Sequence, residues 1–169
     1  CNTTVNQCQC RPRTCADLGA VCGTNLPDGC GGTIASCGTC GHPFQDCGAQ
    51  YQCVCRYTDD SPDDAFEDRN CDGVDGDASK SIFVSPLGSD ANDGRTKTTP
   101  VLTLARAMVL ANGFRPNILI AQGSYAGWTG SWPTGIHLFG GYDTGFKRWS
   151  ADTYRATINF DAQGARFVN

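Results

Sequence analysis

The sequence predicts a mainly β protein made of two unlike modules: a small disulfide-rich one, then one helix and strands spaced as the first coils of a solenoid. Three observations carry this. All twelve cysteines lie in residues 1–71 and none in the 98 residues that follow. That first stretch is about 17% Cys, above the level that marks a disulfide scaffold. Nine of the seventeen acids crowd into residues 59–77. Beyond residue 81, short apolar runs recur between Gly-rich turns. The expected divisions are a disulfide-rich module over 1–57, an acidic junction over 58–80 and a coil module over 81–169.

The cysteines speak first to compartment. A reducing cytosol would not keep so many thiols paired, so a secreted or outer-surface protein is expected, with six bridges. No apolar run approaches the 18 residues of a membrane span. Residues 59–77 carry a net charge of −8 and the rest of the chain +4. No basic face stands out, which argues against a nucleic-acid partner.

Within the first module, Cys47, Cys53 and Cys55 are spaced C-x5-C-x-C, and Cys1, Cys8 and Cys10 are spaced C-x6-C-x-C. A shift of 45–46 residues superimposes them, as in a tandem array. On this reading Cys1 belongs to the tail of a preceding repeat; the alternative is a lipid-bearing N-terminal cysteine. Turn formers dominate between the cysteines, as in Leu26-Pro-Asp-Gly-Cys30-Gly-Gly-Thr33. The few large apolar residues cannot build a sizeable core, so disulfides must hold the module, with a connectivity the sequence leaves open. Cys37-Gly-Thr-Cys40-Gly-His42 lacks the histidine directly after the second cysteine that haem attachment needs. A zinc site on Cys37, Cys40, His42 and a later cysteine stays open beside structural disulfides.

The junction reads Asp68-Arg-Asn70-Cys-Asp72-Gly73-Val74-Asp75-Gly-Asp77. Oxygen ligands at alternate positions, then a glycine, then a backbone carbonyl (here from Val74), are what a calcium loop requires: Ca²⁺ takes six to eight hard oxygens and glycine lets the chain turn around it. The twelfth position is Ser79 rather than a bidentate Glu, so Asp75, Asp77 or an upstream acid such as Asp63, Asp64 or Glu67 would have to complete the shell. The expected metal is Ca²⁺, held by Asp68, Asn70, Asp72, Val74, Asp75 and Asp77; a solvated acidic linker is the alternative.

In the last module, Ile82–Pro86 reads as a short buried strand and residues 88–94 as a turn. Thr99 and Pro100 suggest a helix start, with Leu104, Ala107, Met108 and Ala111 at helical spacing and Asn112-Gly113 as the stop. Further strands are expected at Ile118–Ala121, Ile136–Phe139, Thr157–Phe160 and Arg166–Val168. No Ser–His–Asp arrangement is suggested, and His137 sits in a strand as a lining residue. Asp143, Asp152 and Asp161, the candidates for a glycosidase pair, each sit in a turn context. Tyr125, Trp128, Trp132, Tyr142 and Trp149 offer a possible sugar-stacking platform.

Three stretches resemble known sequences. The run Thr14-Cys15 to Cys22-Gly23, with Asp28-Gly-Cys30-Gly-Gly-Thr33 and Cys37-Gly-Thr-Cys40, resembles a Cys-rich repeat found in tandem in secreted bacterial proteins. The Asp-rich junction resembles one that precedes β-helices in such proteins. Phe83-Val-Ser85, Gly88-Ser-Asp90, Asn92-Asp-Gly94-Arg-Thr96, Gly123-Ser-Tyr125 and Gly140-Gly-Tyr142-Asp143 resemble the start of a right-handed parallel β-helix of the pectate-lyase-like superfamily. The resemblance implies that the helix over 100–112 caps one end of that solenoid, with Gly123 turning and Tyr125 packing. It also implies that the catalytic groups of such enzymes lie on later coils. The chain is therefore expected to be a non-catalytic structural or adhesive protein, calcium-stabilised and able to form filaments by self-assembly or with a partner chain through the open β-helix end. An extracellular polysaccharide is a candidate ligand. The competing expectation is the N-terminal fragment of a β-helix polysaccharide lyase or glycoside hydrolase.

Overall fold

The computed structural model describes residues 10–148 and 150–160. The chain divides into two compact units, Cys1–Thr58 and Asp59–Asn169.

Apolar burial contributes little to the first unit: among its described residues, Cys22 and Leu26 are the buried hydrophobics. Strand β1 (Thr24–Pro27) pairs antiparallel with β2 (Thr33–Ser36), Leu26 facing Ile34. Asp28 holds the turn between them, its Oδ1 accepting the amides of Cys30 at 2.7 Å and Gly32 at 2.9 Å. Gly29 and Gly31 supply φ of 79° and 88° there, values that only glycine adopts at no steric cost. A second antiparallel hairpin joins β3 (Gln45–Cys47) to β4 (Cys53–Cys55). Cys10–Cys30, Cys15–Cys37, Cys22–Cys47 and Cys40–Cys53 are bridged. Cys55 and Cys71 are disulfide-bonded as well, and no described cysteine is free. Cys1 and Cys8 lie outside the described residues.

The second unit is built on two strands buried on both faces. Strands β5 (Ser81–Val84), β6 (Asn117–Ala121) and β8 (His137–Tyr142) form a parallel sheet in the order β5-β6-β8. All four residues of β5 are buried, as are Ile118–Ala121 of β6. Alternation then sorts the side chains. Ile82, Val84, Ile118 and Ile120 meet Leu104, Ala107 and Met108 of α1 (Leu104–Leu110) on one face. Phe83, Leu119 and Ala121 meet Val74, Tyr142 and Phe146 on the other. The acidic junction therefore covers one side of the sheet through Val74, with Phe66 and Ala78 packed beside it. Strand β7 (Gly123–Ala126) pairs in parallel with β9 (Ala156–Asn159) in a sheet of its own.

The expected β-helix is overturned. The strands are short and lie in small separate sheets, two antiparallel pairs and two parallel sheets with one helix; no solenoid forms among the described residues. A solenoid needs each new strand to add to the same stack. Here β9, expected as the next coil, pairs with β7, and the β6–β8 register shifts between Leu119 and Ala121. Parallel spacing in the sequence does not by itself impose a repeating coil. The open solenoid end, on which stacking was expected, loses its basis with it. The strand expected at 166–168 lies outside the described residues.

The helix is also shorter than the expected 100–112. Thr99 does not cap it: its Oγ1 donates to Asp93 at 3.3 Å. Val101 is drawn into backbone pairing instead, donating to Phe83 O at 2.9 Å and accepting from Ser85 N at 3.0 Å. The cap is Thr103, whose Oγ1 accepts from Arg106 N at 3.1 Å and donates to Asp90 at 2.8 Å. Thr103→Ala should cost ~1 kcal/mol of stability. Thermal unfolding checks this, and an unchanged Tm would mean that the cap contributes nothing.

Candidate functional site

The acidic junction is an ordered loop system, and its carboxylates are what orders it. Asp68 accepts the Asp72 amide at 3.0 Å and the Gly73 amide at 2.8 Å. Asn70 Oδ1 also accepts from Asp72 N, at 3.1 Å, while its Nδ2 donates to Asp72 Oδ2 at 2.9 Å. Asp72 in turn accepts the amides of Val74 at 3.1 Å and Ala78 at 2.8 Å. The alternating oxygens at 68, 70 and 72 thus come together around one tight turn. Gly73 takes φ of 89° in that turn, and its carbonyl receives the Lys97 ammonium at 2.6 Å.

Of the other predicted ligands, Val74, expected to offer its backbone carbonyl, buries its side chain in the core. Asp75 is fully buried, its two oxygens accepting the Asp63 amide at 3.0 and 3.2 Å, and its own carbonyl accepts the Tyr142 hydroxyl at 2.8 Å. Asp77 caps the short 3-10 turn Ala78–Lys80, accepting from Ser79 N at 2.9 Å and meeting Lys80 at 3.0 Å. Asp60, not among the expected ligands, ties the system together by accepting from Arg69 N at 3.2 Å and Gly76 N at 3.1 Å. Its role has no signal in local spacing, because the amides it holds lie 9 and 16 residues away.

Electrostatics follows from this packing. Burial, reinforced by the Asp63, Asp60 and Asp68 carboxylates, pushes the Asp75 carboxyl up to about 7. Burial also raises Asp60, with Asp68 adding to the effect. Asp77 goes the other way: burial works against its charge, but hydrogen bonds from Ser79 and Lys80 outweigh that and hold it below the usual carboxylate range. An open groove of about 360 Å³ beside the junction is lined by Asp59, Asp60, Ser61, Pro62, Asp63 and Arg69. Hard oxygens of this kind suit a divalent cation such as Ca²⁺. Among the described residues, however, no three carboxylates bring oxygens within 4.8 Å of one another.

The remaining expected residues are dispersed. Cys37 and Cys40 are bridged to Cys15 and Cys53, so they do not form the zinc pair with His42. Asp143 serves a turn, accepting from Gly145 N at 3.2 Å and Lys147 N at 2.8 Å; Asp152 is exposed and Asp161 lies outside the described residues. Of the aromatics, Tyr125 and Tyr142 are buried in the two core clusters, Trp128 packs against one of them and Trp132 is exposed. Trp149 lies outside the described residues. One grouping was not anticipated: the sulfurs of Cys22, Cys40 and Cys53 lie within 4.8 Å of one another. Their separations of 18 and 13 residues carry no motif.

No family model, curated protein or solved structure matches this chain. Its disulfides are typical of extracellular proteins, and no helix among the described residues is long and apolar enough to cross a membrane.

Proposed function

We propose that this chain is a secreted or cell-surface structural or adhesive protein whose acidic junction is stabilised by Ca²⁺. The observation that carries the reading is the Asp75 carboxylate, fully buried among Asp60, Asp63 and Asp68 in a segment packed onto the sheet. Burying a carboxylate beside like charges is costly, and a divalent cation in the junction offsets that cost. Side chains of Asp68, Asn70 and Asp72, gathered on one turn, supply the first oxygens. Asp75, three positions after Asp72 in the chain, is proposed as a further ligand. The dense disulfides support the extracellular placement.

Thermal unfolding in Ca²⁺ and in EDTA tests the cation. At 100 times its Kd, Ca²⁺ should stabilise the fold by about 2.7 kcal/mol, and Asp72→Asn should abolish the difference. Superimposed curves for the native protein would remove calcium from the reading. Fractionation of the producing cells tests the placement: intact chain recovered from the cytosol with reduced thiols would overturn it.

A further inference from the structure

The three clustered sulfurs belong to two different bridges. Cys22 is bonded to Cys47, and Cys40 to Cys53. The fold brings them together: Cys22 precedes β1, Cys40 lies between β2 and β3, and Cys53 opens β4. Among the described residues no other three sulfurs come so close. The Cys22–Cys47 bridge is asymmetric, since Cys22 is fully buried and Cys47 is exposed. The Cys47 sulfur would lie 3.6 Å from a Cβ placed at Gly23, a spot it shares with Leu26 and Tyr51.

We infer that Cys47 is a site of modification by small thiols through disulfide exchange, and that Cys22 relays the exchange to the Cys40–Cys53 bridge. A thiolate reaching the unit meets Cys47, because its bonded partner is shielded. The incoming sulfur forms a mixed disulfide with Cys47, the Cys22–Cys47 bond breaks, and its electron pair leaves on Cys22. A thiolate stranded in that buried place is costly, and burial in apolar surroundings raises a thiol's pKa, which makes the thiolate more nucleophilic. The Cys40–Cys53 bridge within 4.8 Å is its acceptor. Cys22 bonds to Cys40 or Cys53, the bond between those two breaks, and the displaced sulfur departs as a thiolate that takes a proton from water. Two disulfides and one thiolate enter, and two disulfides and one thiol, protonated by water, remain, so no oxidant or reductant is consumed. The same basicity makes Cys22 a slow leaving group, so the first step limits the rate and free Cys22 does not accumulate.

The test uses the native, fully oxidised chain with substoichiometric reduced glutathione at mildly alkaline pH. Thiols are trapped by alkylation at intervals, and all bridges are mapped by mass spectrometry. The expected products are glutathionylated Cys47, a new Cys22–Cys40 or Cys22–Cys53 bridge, and alkylation of the displaced partner. Alkylated Cys40 plus Cys53 should exceed alkylated Cys22 by at least about tenfold. Alkylated Cys22 with the Cys40–Cys53 bridge intact would overturn the relay. No adduct on Cys47, or new bridges spread evenly over Cys10, Cys15, Cys30 and Cys37, would overturn the site itself.

Discussion

Reduction of the disulfides should unfold the unit Cys1–Thr58 while the unit Asp59–Asn169 keeps its sheet. The asymmetry follows from what each unit buries. In the first, Leu26 and Cys22 are the buried hydrophobics among the described residues, and the four bridges between described residues close loops with sequence separations of 13 to 25. A native bridge in a small secreted domain is worth ~2–5 kcal/mol, against total stabilities of about 5–15 kcal/mol. Losing even two of them would exhaust the margin of so small a core. The second unit buries Ile82, Phe83, Val84, Leu104, Ile118, Leu119, Tyr142 and Phe146 without help from a bridge between them. Amide hydrogen exchange, with and without reductant, reads both units at once. Protection in residues 24–55 should vanish, and protection in β5 and β6 should remain. Retained protection over 24–55 would show that the apolar contacts of the first unit suffice; loss in β5 and β6 would show that the second also depends on its cysteines.

Asp75→Asn should make the second unit more stable at pH 8 in the absence of divalent cations, and leave it unchanged near pH 4. The sign follows from proton binding. Burial beside Asp60, Asp63 and Asp68 places the folded-state pKa at about 7, above the ordinary 3.8. Between those values the native state binds more protons than the unfolded one, so stability falls as pH rises through the interval and stays reduced above it. The full penalty is of the order of a few kcal/mol. The amide removes it and leaves an oxygen for the Asp63 amide. Tyr142 also contacts this residue, but through the Asp75 carbonyl, and its hydroxyl is pushed up chiefly by burial and does not titrate here. Urea midpoints of the native protein and the variant, measured from pH 4 to 8 in EDTA, should diverge above pH 5. Parallel curves would show that the Asp75 charge is already compensated. Under the calcium reading, adding Ca²⁺ flattens the curve of the native protein and leaves that of the variant in place.

Runs of apolar β-formers were legible: Ile82–Val84 and Ile118–Ala121 lie in strands because a continuous apolar run fits a sheet buried on both faces. The tetrapeptide Gly123–Ala126 was not, since glycine and serine read as a turn and its partner β9 lies over 30 residues away. The helix start was misplaced because Pro100 is a good first helical residue locally, while Val101 is claimed by long-range pairing with β5. In the junction, the alternation of Asp68, Asn70 and Asp72 reported a real turn. The destinations of Asp75 and Asp77 depend on Asp63, Tyr142 and Lys80, of which Asp63 and Tyr142 lie beyond any local window. The meeting of Cys22, Cys40 and Cys53 depends on two hairpins and on a connectivity that cysteine counting cannot supply.

The placement of Val74 and Phe66 against Phe83, Leu119 and Tyr142 has a practical consequence for anyone cutting this chain. Composition invites a cut just before Ser81, discarding twenty-odd acidic and turn-forming residues as a tether. Such a piece would begin with β5 and leave an aromatic face uncovered in water, a surface of the kind that drives aggregation. A piece beginning at Asp59 keeps its own cover. Its yield in soluble form, set beside that of a piece beginning at Ser81, would show whether these residues are a strap between neighbours or a wall of the second unit.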